Sequence, residues 1–468
     1  MNQSGFLQRR LASGTVVEHV PNQPVAFSIS GDRLEKLNRD IREKLNKAFG
    51  EQIHERRNDP EFQEMMRKTI ERLLEEDGVQ MGVVERNRFV QDLIYDIIGF
   101  GPLQPLIEDP AITEIMVVGP NKVYVEQGGK IVQTDIKFPS RESVRLLIDK
   151  IVGPLGRRCD ESTPNVDARL PDGSRVSASI APIALDGPYI TIRKFGKKTF
   201  TLDDYIKIGA MSPEMAQFIE AAVRARVNII CSGGTGSGKT TMLNCISNYI
   251  DPSERILTIE DSAELQLTQP HVERYEARPA NVEGRGAITI RDLVIYALRK
   301  RPDRIIVGEI RGGECMDMLQ AMNTGHDGSL TTAHANTPKH LINRLETMAL
   351  MSGMDLPSRA IRETIAGAIQ LIIQVARLKD GSRKVVAITE VVGFGREGAE
   401  KLGLKNYDKD TVYLQDVFRF EQTGTDASGK VLGTHEATGY RPFCLERFEA
   451  HGIRIDERIF ESGMTHVN

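Results

Sequence analysis

The spacing of apolar residues changes along the chain, and each change predicts a different kind of element. Leu34, Leu37, Ile41 and Leu45 recur every three or four residues and predict an amphipathic helix. Asp59-Pro60 offers a cap and a first-turn proline to a second helix, with Phe62, Met66, Ile70 and Leu73 on one face and Gly78 as its stop. Charged residues fill the opposite faces, which reads as solvated surface. Residues 1–30 are polar and without period, and are expected to be disordered. From Val83 to Phe200 the pattern becomes mixed. Ile112–Val118, Lys122–Glu126, Ile131–Phe138, Arg175–Ala181 and Ile190–Arg193 read as strands, and Ser143–Val152 as a helix. Gly99-Phe-Gly-Pro102 breaks a helix, while Gln127-Gly-Gly-Lys130 and Asp186-Gly187 mark turns. Val227–Cys231 is a short apolar run of the kind that forms a buried parallel strand, and Thr241–Ile250 reads as a helix stopped by Asp251-Pro252. Val412–Phe420 and the Gly-rich stretch Thr423–Gly439 suggest a small β-rich extension.

Length and composition narrow the class. With 468 residues, two or three domains are expected. A net charge of −4, no Trp and no basic tract interleaved with aromatics argue against nucleic acid as a partner. Cys159, Cys231, Cys245, Cys315 and Cys444 are scattered without a C-x-x-C pair, so neither a zinc site nor a disulfide framework is expected. Met1–Arg10 lacks the apolar core of a signal peptide, and no apolar run is long enough to span a bilayer. The expectation is a cytoplasmic protein.

The chemistry is concentrated between the apolar run at Val227 and the helix at Thr241. Gly233, Gly234, Thr235, Gly236, Ser237, Gly238, Lys239 and Thr240 spell G-x-x-x-x-G-K-[ST] between a strand and a helix, with Thr241 following. Glycines let backbone N–H groups turn inward around a phosphate, and the helix N-terminus adds positive potential. Lys239 is expected to reach the β- and γ-phosphates of ATP, and the Thr240 hydroxyl to ligate Mg²⁺. Arg304–Glu309 is an apolar strand ending in a carboxylate, the position that holds Mg²⁺ directly or through water. Ile256–Glu264 is a second such strand, with Glu260, Asp261 and Glu264 at its end. Glu260 is favoured as the base that activates water and Glu264 is the alternative; Asp261 fits a helix cap equally well. His326 and His334 flank a short strand within a Gly/Thr-rich frame and are candidates for sensing the γ-phosphate. No third ligand is spaced to make them a metal site.

These motifs occur in a specific order. Thr258-Ile-Glu-Asp261, Leu298 to Glu314 and Thr324-Gly-His326…Thr332-Ala-His-Ala-Asn336 follow the P-loop. In this the chain resembles the ATPases that power type II secretion, type IV pili and type IV secretion. Gly99–Leu103, Glu114–Val117, Asp167–Arg175 and Ile190–Phe195 are similar to the CpaF-type ATPases of Tad (Flp) pilus assembly. Cys315 departs from the Ala more usual there, and the tetracysteine loop of many type II ATPases is absent. The resemblance implies an α/β fold with a RecA-like P-loop ATPase C-terminal domain, a PAS-like α/β N-terminal domain and an N-terminal helical arm. The implied divisions are 31–82 for the arm, 83–200 for the PAS-like domain, 201–210 for a linker, and 211–468 for the ATPase domain with its extension. It also implies a homohexamer, peripheral at the inner membrane, working through pilus platform proteins. Arg169 and Arg193 in the N-terminal domain, and Arg278 and Arg311 in the C-terminal one, become candidates for phosphate contacts that couple hydrolysis to domain motion. A type IV secretion ATPase moving protein or DNA is the alternative.

Overall fold

The structure, a computed structural model, describes residues 31–50, 52–56, 59–194, 200–278, 280 and 285–462; the expectation for residues 1–30 lies outside them. The chain divides into two compact units, Met1–Lys197 and Lys198–Asn468. Among the described residues no helix is long and apolar enough to cross a membrane.

In the first unit, the helices Gly31–Phe49 and Pro60–Glu76 pack their apolar stripes together. Asp59 caps the second by accepting from the Glu61 N–H at 2.9 Å, and Gly78 follows its end at φ +64°. The helix Val83–Ile97 belongs with them. Phe89, Val90, Leu93 and Ile94 join the core formed by Ile41, Leu45, Ile70 and Leu74. This helix follows the boundary expected between 82 and 83 and shares its core with the helices before it. Its C-terminal carbonyls, on Asp96 and Ile97, accept from the Lys150 ammonium at 2.9 Å each, as does that of Gly99 at 2.6 Å.

The rest of the unit is an antiparallel sheet in the order β3-β2-β1-β6-β5-β4, the PAS-like arrangement, over its own apolar core. Its strands are β1 (Ile112–Val118), β2 (Lys122–Gln127), β3 (Lys130–Gln133), β4 (Asn165–Arg169), β5 (Arg175–Ser179) and β6 (Tyr189–Arg193). β3 is shorter than the pattern suggests, because the chain turns back after it so that Phe138 donates its N–H to Pro120 and buries its ring. β4 is short and offers the core only small side chains, with Ala168 buried and Val166 packed beside it.

The second unit is a nine-stranded sheet, β15-β14-β13-β12-β7-β11-β10-β8-β9. Six of these strands are parallel: β12 (Leu371–Arg377), β7 (Ile229–Gly233), β11 (Leu330–Ala333), β10 (Arg304–Ile310), β8 (Ile256–Glu260) and β9 (Val272–Glu276). Apolar clusters on both faces bury all of these but the edge strand β9, which explains the apolar runs of β7, β8, β10 and β12. The antiparallel β13 (Arg383–Phe394), β14 (Val412–Thr425) and β15 (Val431–Ala437) extend the same sheet, so the C-terminal extension is continuous with the ATPase core. Much of the expected 201–210 linker is structured here. Leu202–Lys207 is a helix opened by a capping box between Thr201 and Asp204, with Leu202 and Tyr205 in the core. At the amino ends of the strands, the fully buried Arg304 is paired to Glu254 at 2.6 Å and donates to the carbonyls of Gly328 and Val223. A Cβ at Gly328 would lie 1.8 Å from the Arg304 guanidinium, which excludes any larger residue there.

Candidate nucleotide site

Parallel strands all end at the same edge, and a ligand binds beyond their carboxyl ends. β7 is buried throughout and opens directly into the loop 234–238. Gly236 and Gly238 adopt φ +70° and +96°, which other residues reach only with strain. At Gly233 a Cβ would lie 2.3 Å from the Val375 carbonyl and 2.5 Å from Ser237 Oγ, so the strand leaves the sheet through a gap fit for glycine alone. The helix Lys239–Ser247 begins at once. Its first bonded N–H is that of Met242, to Gly238 at 2.9 Å, which leaves those of Lys239, Thr240 and Thr241 without a helical acceptor. Thr235 and Thr241 are exposed beside the loop. The Lys239 ammonium donates to the Gly234 carbonyl at 3.1 Å. Burial lowers its pKa, the Glu309 carboxylate opposes that shift, and Arg311 and Arg344 add to it.

Two carboxylates end neighbouring strands. Glu309, on β10, accepts from Arg311 Nε and Nη2 at 2.9 and 2.6 Å. Arg311 also lies 3.5 Å from Asp261. Glu260, the last residue of β8, is 2% exposed. Its Oε1 accepts the N–H groups of Glu264 and Leu265 at 2.8 and 3.0 Å, so the chain after β8 wraps around it. Oε2 is buried with no hydrogen-bond partner. Burial raises the Glu260 pKa, and the two backbone N–H groups pull it partly back. A Cβ at Gly308 would come within 3.0 Å of Glu260 Cγ, so the glycine before Glu309 makes room for this carboxylate.

The remaining candidates fall in three places. His334 follows β11 at the carboxyl edge and is half-buried. His326 lies before β11, at the opposite edge from the P-loop, where its Nδ1 is buried without a partner. The strand Leu330–Ala333 lies between the two, as their flanking positions imply. Arg278 is exposed just beyond the edge strand β9 and donates to the Gly286 carbonyl at 2.8 Å. Arg169 and Arg193 lie in the first unit, on one line across its sheet. Arg169 pairs with Arg175, Arg175 with Arg193, and Arg193 with Glu114. Directly opposed residues share a face, so the three arginines and the Glu114 carboxylate fall in one row across the sheet. Arg175 is the member the sequence reading missed. It lay within a quoted motif, but without β4 its register against Arg169 could not be read.

The structure therefore defines a P-loop ATPase with a RecA-like core. The family model for type II/IV secretion system proteins matches residues 97–422, and the chain belongs to that family. It is an ATP-hydrolysing, nucleotide-binding secretion motor. A putative conjugal transfer protein of Mycobacterium tuberculosis is 38% identical over 299 residues, 63% of this chain and 84% of that protein. The conjugal transfer protein TrbB of Rhizobium radiobacter is 32% identical over 292 residues, 62% of this chain and 86% of that protein. Among solved structures, the VirB11 ATPase of the Brucella suis type IV secretion system is 28% identical, with 61% of this chain and 91% of that one covered at a TM-score of 0.34.

Proposed function

We propose that this ATPase powers assembly of a Tad (Flp) type IV pilus, as a cytoplasmic homohexamer acting through an inner-membrane platform. The observation that carries its chemistry is the convergence of Lys239, Glu309 and Glu260 at one edge of the sheet. In this reading the loop N–H groups and Lys239 hold the triphosphate, and Glu260 Oε2, its other oxygen being occupied by the backbone, accepts the proton of the attacking water. The Thr240 hydroxyl and the Glu309 carboxylate suit Mg²⁺. Among the described residues no cluster of three carboxylate, His or Cys ligands forms a cage, and Mg²⁺ characteristically takes few protein ligands beside phosphate oxygens and water. When bound, the ion neutralises phosphate charge.

The pilus assignment rests on the motifs around Gly99, Glu114, Asp167 and Ile190, which lie within the family match at residues 97–422, and on the helical arm, which precedes it. The relatives' descriptions as conjugal transfer proteins favour the second reading, a type IV secretion ATPase. A chromosomal Lys239→Ala strain in the native host distinguishes them. Loss of sheared surface pilin with DNA transfer intact is expected; loss of transfer with pilin intact would favour secretion.

The ring has its own test. The arginine row stands in a unit with no P-loop, so Arg169, Arg175 and Arg193 contribute to hydrolysis only by reaching phosphates held elsewhere. Light scattering with ATP should give six times the chain mass, and Arg193→Ala should keep that mass while turnover falls. A monomer at full turnover contradicts the proposal.

A further inference from the structure

The hairpin between β12 and β13 runs past the end of the P-loop strand. Val375 pairs with Gly233, and two residues further on Arg377 stands directly opposite Arg383. Like charges opposed across a strand pair repel, and among the described residues neither guanidinium has a carboxylate partner. Both face the phosphate loop. Arg383 Nε donates to the Gly236 carbonyl at 2.9 Å. Arg383 Cδ lies 3.5 Å from where a Gly238 Cβ would stand, and Arg377 Nη1 4.0 Å from the corresponding point at Gly236. The mount is stiff. Asp380 in the hairpin turn accepts from Ser382 N and Oγ at 3.0 and 2.6 Å and from Val431 N at 2.8 Å. These bonds, the Ser382 hydroxyl foremost, hold its pKa down to about 2.

We propose that Arg383 is a positioning residue of the phosphate loop, with Arg377 beside it as the second member of a basic wall; this rests on the ATP-binding reading above. A loop whose N–H groups surround an anion must turn carbonyls outward, and Gly236 presents such a carbonyl. A carbonyl and the N–H that follows it lie in one plane and point oppositely, so gripping the Gly236 oxygen also sets the Ser237 N–H. That N–H closes the turn onto the Gly234 carbonyl at 3.4 Å, and the same carbonyl accepts from the Lys239 ammonium. Arg383 thus presets the cradle from outside without touching nucleotide.

The test compares Arg383→Ala, Arg383→Lys and Lys239→Ala in the full chain, by calorimetric titration with ADP and ATP, steady-state turnover, and melting without nucleotide. Arg383→Ala should weaken ADP and ATP by a similar factor of about ten, the worth of one charge-assisted hydrogen bond. KM should rise with it, while kcat at saturation and the nucleotide-free Tm hold. Arg383→Lys keeps a charged donor and should recover most of the affinity. Unchanged affinity in Arg383→Ala, with Lys239→Ala defective, overturns this inference alone. So does equal loss in Ala and Lys variants with a lowered nucleotide-free Tm, which would mark a purely architectural residue. Normal binding by Lys239→Ala would instead overturn the underlying assignment of the loop.

Discussion

Lys239→Ala should weaken ATP binding by about ten- to a hundredfold and abolish measurable turnover. A hydrogen bond to a charged group contributes about 1.5–3 kcal/mol, and each 1.4 kcal/mol is about tenfold in affinity. The loss at turnover is larger, because the lysine also opposes charge on the transferring phosphoryl group. The fold should not suffer. Among the described residues the Lys239 ammonium donates to the Gly234 carbonyl alone, and burial disfavours its charge. Melting without nucleotide should therefore match the unaltered chain, while the rise in Tm on adding ATP disappears. Calorimetry showing unaltered ATP affinity would refute the role given to the loop.

Glu260→Gln should bind ATP normally and hydrolyse it about 10²–10⁴-fold more slowly, the range of a positioned general base. Glutamine keeps an oxygen for the N–H groups of Glu264 and Leu265, so the turn around residue 260 is preserved. The sign of the stability effect follows from the raised pKa. The folded state binds the Glu260 proton more tightly than the unfolded state does. This group's contribution is therefore most favourable at low pH and is lost as pH rises from the ordinary carboxylate value through the folded one. Above its folded pKa the buried carboxylate of Glu260 costs stability, and there the neutral amide should leave Tm unchanged or higher. A lowered Tm with full activity would indicate a structural carboxylate, and collapse of turnover in Glu264→Gln instead would exchange the two roles.

What could be read from the sequence was local. The P-loop, the acid of β10 and the acids after β8 each announce themselves within a strand and the few residues beyond it. What could not be read depends on registers between distant segments. Arg383 meets Gly236 across 147 residues. Arg175 acquires meaning only when β4 and β6 flank it, and β4 is only five residues long. His326 and His334 are close in sequence, but the β11 strand between them carries them to opposite edges of the sheet. The apolar stripe of the helix Val83–Ile97 does not say which core it faces; it joins that of the two preceding helices. The stretch 201–210 joins two patterned regions, and its Thr201–Asp204 capping box marks a helix start.

The account turns on a buried carboxylate activating water beside a nucleotide held by the P-loop. The direct measurement is single-turnover phosphate release at saturating ATP and Mg²⁺, followed over a pH series for the unaltered chain and Glu260→Gln. The unaltered chain should lose activity toward acid with a midpoint above the ordinary carboxylate pKa, as burial of Glu260 requires. The variant should be slower by about 10²–10⁴ and lack that limb. Equal rates, or the same acid limb in both proteins, would contradict the account.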